Sequence, residues 1–276
     1  MKDSKKLFDD ISKNISKIIT NMYSTSFSFA IRLLNKRLHD PIYAIYGFVR
    51  LGDEIVDSFH NYNKKKLMQE FRDSTKNAIA DHISINPILH NFQEIVHKYD
   101  IEWEIINDFL ESMEYDLEEK TYDNKKYKKY IKGSAEAVGL MCLKVFCYKK
   151  DGLYQDLEEF ARCLGSAFQK INFLRDIGND YYNLQRTYFP EIDIEKFNEE
   201  KKKDIEHEIE TEFKKALYGI NSLPQSSKKG VYLAYIYYVE LLKKIKTIGA
   251  KEILEKRIRI SNTKKIILLF RSYVKY

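Results

Sequence analysis

The sequence predicts an all-α fold, and three observations carry that prediction. Glycine and proline number only 10 and 4 among 276 residues, too few turn formers for a β-sandwich or barrel. Apolar residues recur at helical spacing through most of the chain. Asp40-Pro41 and Asn86-Pro87 each place a capping residue before a proline suited to a first helical turn. With 44% hydrophobic residues, including 21 Tyr and 16 Phe, the chain has enough apolar surface to exclude disorder. It contains neither a GxGxxG nor a GxxxxGK[ST] run, which argues against a Rossmann or P-loop enzyme.

Asp40-Pro41 opens a helix over about 40–60, with Ile42, Ile45, Tyr46, Val49, Ile55 and Val56 as its apolar set. Asn86-Pro87 opens the next, carrying Ile88, Leu89, Phe92, Ile95 and Val96. Residues 101–119 are amphipathic, and 121–124 break the pattern. Long helices are expected over 127–148 and 153–184, the second stopped by Pro190. Further helices fall at about 195–219, 225–246 and, with a basic and apolar character, 251–274. No Pro-, Gly- or Ser-rich linker and no repeat divides the chain, so one domain over 1–276 with about eight to ten helices is expected.

The charge balance, 47 basic against 41 acidic residues or +6, is too mild and too dispersed for a nucleic-acid binder. The runs Lys64–Lys66 and Lys201–Lys203 lie beside acidic residues and read as solvated helix faces. Cys142, Cys147 and Cys163 form no CxxC, which points to reduced thiols and a cytoplasmic setting. Met1 to Asp10 contains no apolar signal segment. No run of about 18 uncharged apolar residues is present to span a membrane.

Two aspartate pairs stand out. Asp53/Asp57 and Asp176/Asp180 are the two places where aspartates are four apart, one helical turn and one face. Arg50 precedes the first pair by a turn, and Arg175 adjoins the second. Such pairs are either surface carboxylates tied up by those arginines or the two halves of a polyanion site. In the second case hard oxygen ligands suit Mg²⁺, which bridges to phosphate, and arginine grips the same group. Between them Gly133, Ser134, Ala135, Ala137 and Gly139 crowd one helical segment. They permit either tight helix packing or a thin wall beside a long apolar ligand.

These motifs resemble the head-to-head prenyl synthases, the phytoene, dehydrosqualene and squalene synthases. Tyr46, Arg50, Asp53, Glu54 and Asp57 match the first signature, Tyr-x-x-x-Arg-x-x-Asp-(Asp/Glu)-x-x-Asp. Gln169 to Asp180, followed by Arg186-Thr187-Tyr188-Phe189-Pro190, resembles the second. Tyr127-x-x-Tyr130 and Ala135 to Met141 are similar to the stretch between them, and Tyr23-Ser24-Thr25-Ser26-Phe27 to the opening Ser-x-Ser-Phe segment. Two residues depart from the pattern: Glu54 where Asp is common, and Glu136 where Gly is common. Glu136 puts the chain length of the substrate in question.

The resemblance implies an isoprenoid-synthase helical bundle around a central cavity, and condensation of two prenyl diphosphates through a cyclopropylcarbinyl diphosphate. Carried over by position, Asp53, Asp57, Asn172 and Asp176 are metal ligands, assisted by Asp180. Arg50, Gln169 and Arg175 hold diphosphate. Tyr23, Ser24, Thr25, Ser26, Tyr46 and Tyr238 contact substrate, and Arg257 and Lys265 add positive charge. The implied cofactor is Mg²⁺, with Mn²⁺ as substitute. The expected product is phytoene from two geranylgeranyl diphosphates, without NADPH. The rivals are squalene or dehydrosqualene synthesis from two farnesyl diphosphates, and a non-catalytic helical assembly factor. The lack of a C-terminal membrane anchor favours the carotenoid branch. The ending Lys264 to Arg271 has the makings of an interfacial segment in peripheral contact with a membrane, or of a core helix with cationic ends.

Overall fold

The computed structural model describes residues 4–118, 121–190 and 194–275. Met1–Asp3 and Glu119, at the edges of expected segments, lie outside the described residues. Thirteen α-helices occur among the described residues: α1 (Ser4–Tyr23), α2 (Thr25–Arg32), α3 (His39–Asp57), α4 (Lys64–Asp81), α5 (Pro87–Tyr99), α6 (Trp103–Glu118), α7 (Asn124–Ile131), α8 (Ala137–Phe146), α9 (Leu153–Leu184), α10 (Glu199–Ser222), α11 (Gln225–Lys246), α12 (Ala250–Glu255) and α13 (Asn262–Lys275). There is no strand among them. One isolated bridge joins Thr121 to Thr187 and ties the loop after α6 to the loop after α9.

The all-α expectation holds, and the differences are local. Asn86 caps α5 as expected, its side chain accepting from the Ile88 and Leu89 N–H groups. Asp40 is not a cap: α3 begins one residue earlier at His39, and Asp40 sits in the first turn, where it complements the helix dipole. The expected 127–148 helix begins at Asn124 and passes through a π-helical turn at Lys132–Glu136 into α8. The expected 251–274 helix is two, α12 and α13, separated by an extended segment. The count exceeds eight to ten because α1, α2 and α4 precede or interrupt the segments that periodicity marks.

α1 escapes a periodicity argument for a physical reason. It packs on α3 and α5 through Ser12, Ser16 and Thr20, all fully buried. Each hydroxyl donates to the carbonyl four residues back, at 2.8, 3.3 and 2.9 Å, so the face is small and internally satisfied. Asn91 of α5 donates to the Ser16 hydroxyl at 2.9 Å.

Two apolar cores flank the site. The first joins α3, α4, α5, α6 and α8, centred on Phe48, whose ring stacks on Phe92 at 3.9 Å. The second joins α7, α9, α10, α11 and α12 around Phe173, Leu174 and Ile245. α3 carries Asp53 and Asp57, and α9 carries Asp176 and Asp180. Each core therefore presents one aspartate motif.

Candidate active site

A cavity of about 340 Å³ lies between the cores. Tyr46, Arg50, Asp53, Gln169, Asn172 and Tyr238 line it at one end, and apolar side chains line the rest. Four aromatic rings gather near the polar end. Phe27 lies 6.0 Å from Tyr46 and 6.3 Å from Tyr238, and Tyr238 stacks on Phe168 at 3.9 Å. The Tyr238 hydroxyl donates to Asn172 Oδ1 at 3.3 Å. Burial, together with the Asp53 charge, pushes the Tyr46 phenol up to about 12 against the pull of Arg50, so it is a neutral donor at ordinary pH.

The small-residue segment serves both readings. Ser134, Ala135 and Gly139 line the cavity, while a Cβ at Gly133 would meet the Asp108 carbonyl oxygen at 2.1 Å. Glu136 is not part of the lining: its carboxylate faces Arg162 at 3.3 Å, and burial raises its pKa while Arg162 opposes the rise. The charge that put substrate length in question is turned onto α9.

The substrate segment before α2 is less direct than its motif implies. Ser24 caps α2, its hydroxyl accepting from the Phe27 N–H at 3.1 Å. Thr25 accepts from Lys265 at 2.8 Å. The cavity lining runs through Phe27 rather than Ser24, Thr25 or Ser26. Tyr23 is half exposed, its ring 4.2 Å from the Arg50 guanidinium.

The acidic side chains form two unequal pairs. On α3, Arg50 does not pair with Asp53 but with Glu54, its i+4 neighbour. Burial first, then Asp57, drives the Asp53 pKa up to about 7. Asp57 faces Arg186 at 3.6 Å; burial raises its pKa and Arg186 restrains it. On α9, Asp176 accepts from Arg175 at 3.0 Å and pairs with Arg257 at 2.9 Å. Gly178 makes the second contact possible: a Cβ there would lie 1.9 Å from the Leu254 carbonyl oxygen of α12, the helix that leads to Arg257. Burial and the Asp176 charge push Asp180 up to about 7, with a further contribution from Asp57 across the cleft.

Sequence reasoning missed Asp116. This α6 carboxylate is buried and accepts from three phenols: Tyr122 at 3.0 Å, Tyr188 at 3.1 Å and Tyr130 at 2.6 Å. Arg186 donates to its backbone carbonyl at 2.8 Å and stands 3.9 Å from its carboxylate. The chain Asp116–Arg186–Asp57 thus joins α6, the loop after α9 and the first motif. The signal was present: Asp116 lies seven residues after Phe109 and three after Met113, on the buried stripe of α6. A carboxylate there needs partners.

The donor set fits a divalent cation. Asp53, Asp57, Asp176 and Asp180 supply hard oxygens from two helices. Burial first, and then the neighbouring aspartate, raise Asp53 and Asp180 to about 7, a cost that Mg²⁺ or Mn²⁺ would relieve. Among the described residues the acidic and His groups lying within 4.8 Å of one another in threes are instead Asp9, His90 and Glu94. There the Lys5 ammonium already contacts Asp9 at 2.6 Å and Glu94 at 3.4 Å. Among the described residues no three motif aspartates come that close.

A family model described as Squalene/phytoene synthase matches residues 20–264. Among curated proteins, 4,4'-diapophytoene synthase of Staphylococcus haemolyticus is 25% identical over 178 residues, covering 64% of this chain and 61% of that protein. Phytoene synthase 1, chloroplastic, of Solanum lycopersicum is 25% identical over 278 residues, covering 92% of this chain and 65% of that protein. The chain thus spans less than two thirds of the length of these relatives. Among solved structures, a dehydrosqualene synthase in complex with ligand superposes with a TM-score of 0.84 at 20% identity, covering 97% of this chain and 98% of that one. Squalene synthase HpnC from Alicyclobacillus acidocaldarius gives 0.75 at 19% identity, covering 86% and 93%. These likenesses show the fold. No helix among the described residues is long and apolar enough to cross a membrane.

Proposed function

The chain belongs to the squalene/phytoene synthase family, and from that premise we propose that its 1–276 domain is a head-to-head prenyltransferase making phytoene from two geranylgeranyl diphosphates. One observation carries the reading: Arg50 and Asp53 of α3 and Gln169 and Asn172 of α9 line the polar end of an apolar cavity, and the Asp57 charge on α3 acts on Asp180 of α9. Asp53, Asp57, Asn172, Asp176 and Asp180 are the groups to hold Mg²⁺ or Mn²⁺, which supplies positive charge to the departing diphosphate. Arg50, Arg175 and Arg257 grip the same diphosphate as Gln169 orients it. Their present partners, Glu54 and Asp176, keep the guanidinium groups aimed until it arrives.

Loss of diphosphate leaves an allylic cation, the double bond of the second chain attacks it, and loss of a proton from the resulting tertiary cation closes the ring of a cyclopropylcarbinyl diphosphate. A second ionisation, rearrangement and proton loss give the hydrocarbon. The apolar wall excludes water that would trap these cations. The faces of Phe27, Tyr46, Phe168 and Tyr238 offer negative quadrupole to them without a nucleophile. Ser134, Ala135 and Gly139 leave room along the wall, and Glu136 is engaged with Arg162, which favours the longer C20 chains over C15. Proton loss needs no nicotinamide, so turnover is expected without NADPH. The three free cysteines suit a cytoplasmic setting. The test is competition between C15 and C20 diphosphates with Mg²⁺, with and without NADPH, and products identified by mass. A C40 hydrocarbon with a central conjugated triene supports the assignment. A C30 product transfers it to the squalene or dehydrosqualene branch, and no condensation at all favours the non-catalytic assembly factor.

A further inference from the structure

α1 and α13 both expose sets of large apolar side chains. α1 buries Ser12, Ser16 and Thr20 yet exposes Leu7, Ile11, Ile18 and Met22, the last 79% exposed. At 3.6 residues per turn these four fall in one stripe roughly 60° wide, opposite the buried hydroxyls. α13 buries Leu268 and Ser272, whose hydroxyl donates to the Lys229 carbonyl at 3.1 Å, and exposes Ile266, Ile267 and Phe270, the last 67% exposed. An amphipathic helix ordinarily turns its apolar stripe to the core; α1 turns it outward, and α13, which packs Leu268 and Leu269 against α11, exposes a second apolar set besides.

The charge is distributed to match. The two helices hold eight basic residues (Lys5, Lys6, Lys13, Lys17, Lys264, Lys265, Arg271, Lys275) and two acidic ones (Asp9, Asp10). Their net +6 equals the formal charge of the whole chain, +6, so the rest of the chain is balanced. Lys5 pairs with Asp9 and Lys264 with Glu240, while Lys6, Lys17 and Arg271 are exposed. The helices also converge on the cavity. Lys265 donates to Thr25, the first residue of α2, just past the end of α1, and Phe27 in the same turn lines the cavity.

We propose that α1 and α13 form an interfacial platform that seats the protein on an anionic lipid bilayer, with the cavity beside the membrane. The occupant follows from charge. A second copy docked on this face would bring two positive surfaces together, whereas an anionic bilayer offers opposite charge at its surface and hydrocarbon beneath it. The need for it rests on the proposed function: the substrates are amphiphiles and the product is a hydrocarbon that water does not dissolve.

The test uses the full chain with sedimenting vesicles, either phosphatidylcholine alone or with about one third phosphatidylglycerol, and no prenyl diphosphate. Binding is expected to the anionic vesicles, falling about tenfold on going from low salt to roughly 0.5 M. Met22→Glu and Phe270→Glu are each expected to weaken it about tenfold. Both side chains are exposed and outside the catalytic machinery, so circular dichroism and turnover of detergent-dispersed substrate stay unchanged. Absence of pelleting with anionic vesicles at low salt overturns the platform. So does a concentration-dependent dimer that the same two variants dissolve while wild type ignores vesicles. Vesicle binding without any turnover supports the platform and counts against the enzymatic reading alone.

Discussion

The two aspartate motifs share one spacing and differ in how their charges are met. On α3 the arginine lies three residues before Asp53, and the helix delivers it to Glu54 instead. Asp53 is left with its charge unmet, and Asp57 depends on Arg186 from beyond α9. On α9 the arginine adjoins Asp176 and, with Arg257, clamps it from two sides; Asp180, one turn on, is the unmet group. Each helix therefore holds one carboxylate faced by guanidinium and one pushed to about 7, in opposite order along the chain. Spacing thus places carboxylates on a face, while the offset of the neighbouring cation decides which of them is pushed up to about 7.

The sharpest way to break this comparison is to remove these raised carboxylates. Asp53→Asn and Asp180→Asn are each expected to cut turnover about 10³-fold with circular dichroism unchanged, because each removes a charge the fold itself resists. Near-normal turnover in either variant would end the metal assignment. Next in size is Asp116→Asn, which keeps the shape but removes the charge that three phenols and Arg186 surround. A loss of about 3 kcal/mol in urea unfolding and roughly a hundredfold fall in turnover are expected. Unchanged stability would mean that the carboxylate is already protonated in the native chain.

Arg257→Ala probes the clamped member. Asp176 keeps Arg175, so the fold should persist, and KM for the diphosphate is expected to rise about tenfold with kcat within about threefold. An equal fall in kcat would place Arg257 in the ionising step rather than in substrate capture. The smallest effect is on stability against pH. Asp53 and Asp180 hold protons to about 7 in the folded chain but to about 4 when unfolded. The folded state is then the better proton binder, so stability falls as pH rises from about 4 to about 7 and is lowest above that window. Metal-free protein should melt higher at about pH 5.5 than at about pH 8, and Mg²⁺ with inorganic diphosphate should restore the loss at pH 8. The lowered carboxylates Asp9, Glu54, Glu111 and Glu240 give up their contribution only at pH below that range. A melting point that rises from pH 5.5 to 8 would refute the unmet-charge account.

Much of this architecture was legible because the motifs sit on long amphipathic helices. Asn86-Pro87 locates the start of α5 to the residue, and 153–184 is α9 as expected. What stayed hidden depends on tertiary partners. α1 buries hydroxyls, so its apolar spacing points away from the protein and mimics no core helix. Asp116 was concealed because local pattern shows an acidic residue on a buried stripe but not the Tyr122, Tyr130 and Tyr188 hydroxyls that come from later segments. The resting partner of Arg50 was not legible because both Asp53 and Glu54 are within helical reach, and only the packed geometry chooses Glu54. Glu136 put substrate length in question because its Arg162 partner lies 26 residues further along the chain.

The placement of one motif on each core also has a mechanical consequence. α3 is anchored through Ile45, Phe48 and Val56 in the first core and α9 through Ile171, Leu174 and Ile177 in the second. Whatever binds both sets of carboxylates therefore acts as a clasp across the joint between the two halves. Its grip adds to the cooperativity of unfolding, because neither half can melt without releasing it. Apart from it, α9 meets the first half mainly through α8 and the π-helical turn, with Arg186 linking the loop after α9 to Asp57 and Asp116. Amide exchange in α3 and α9 should slow together when the clasp closes, while the outward faces of α1 and α13 keep their own, faster clock.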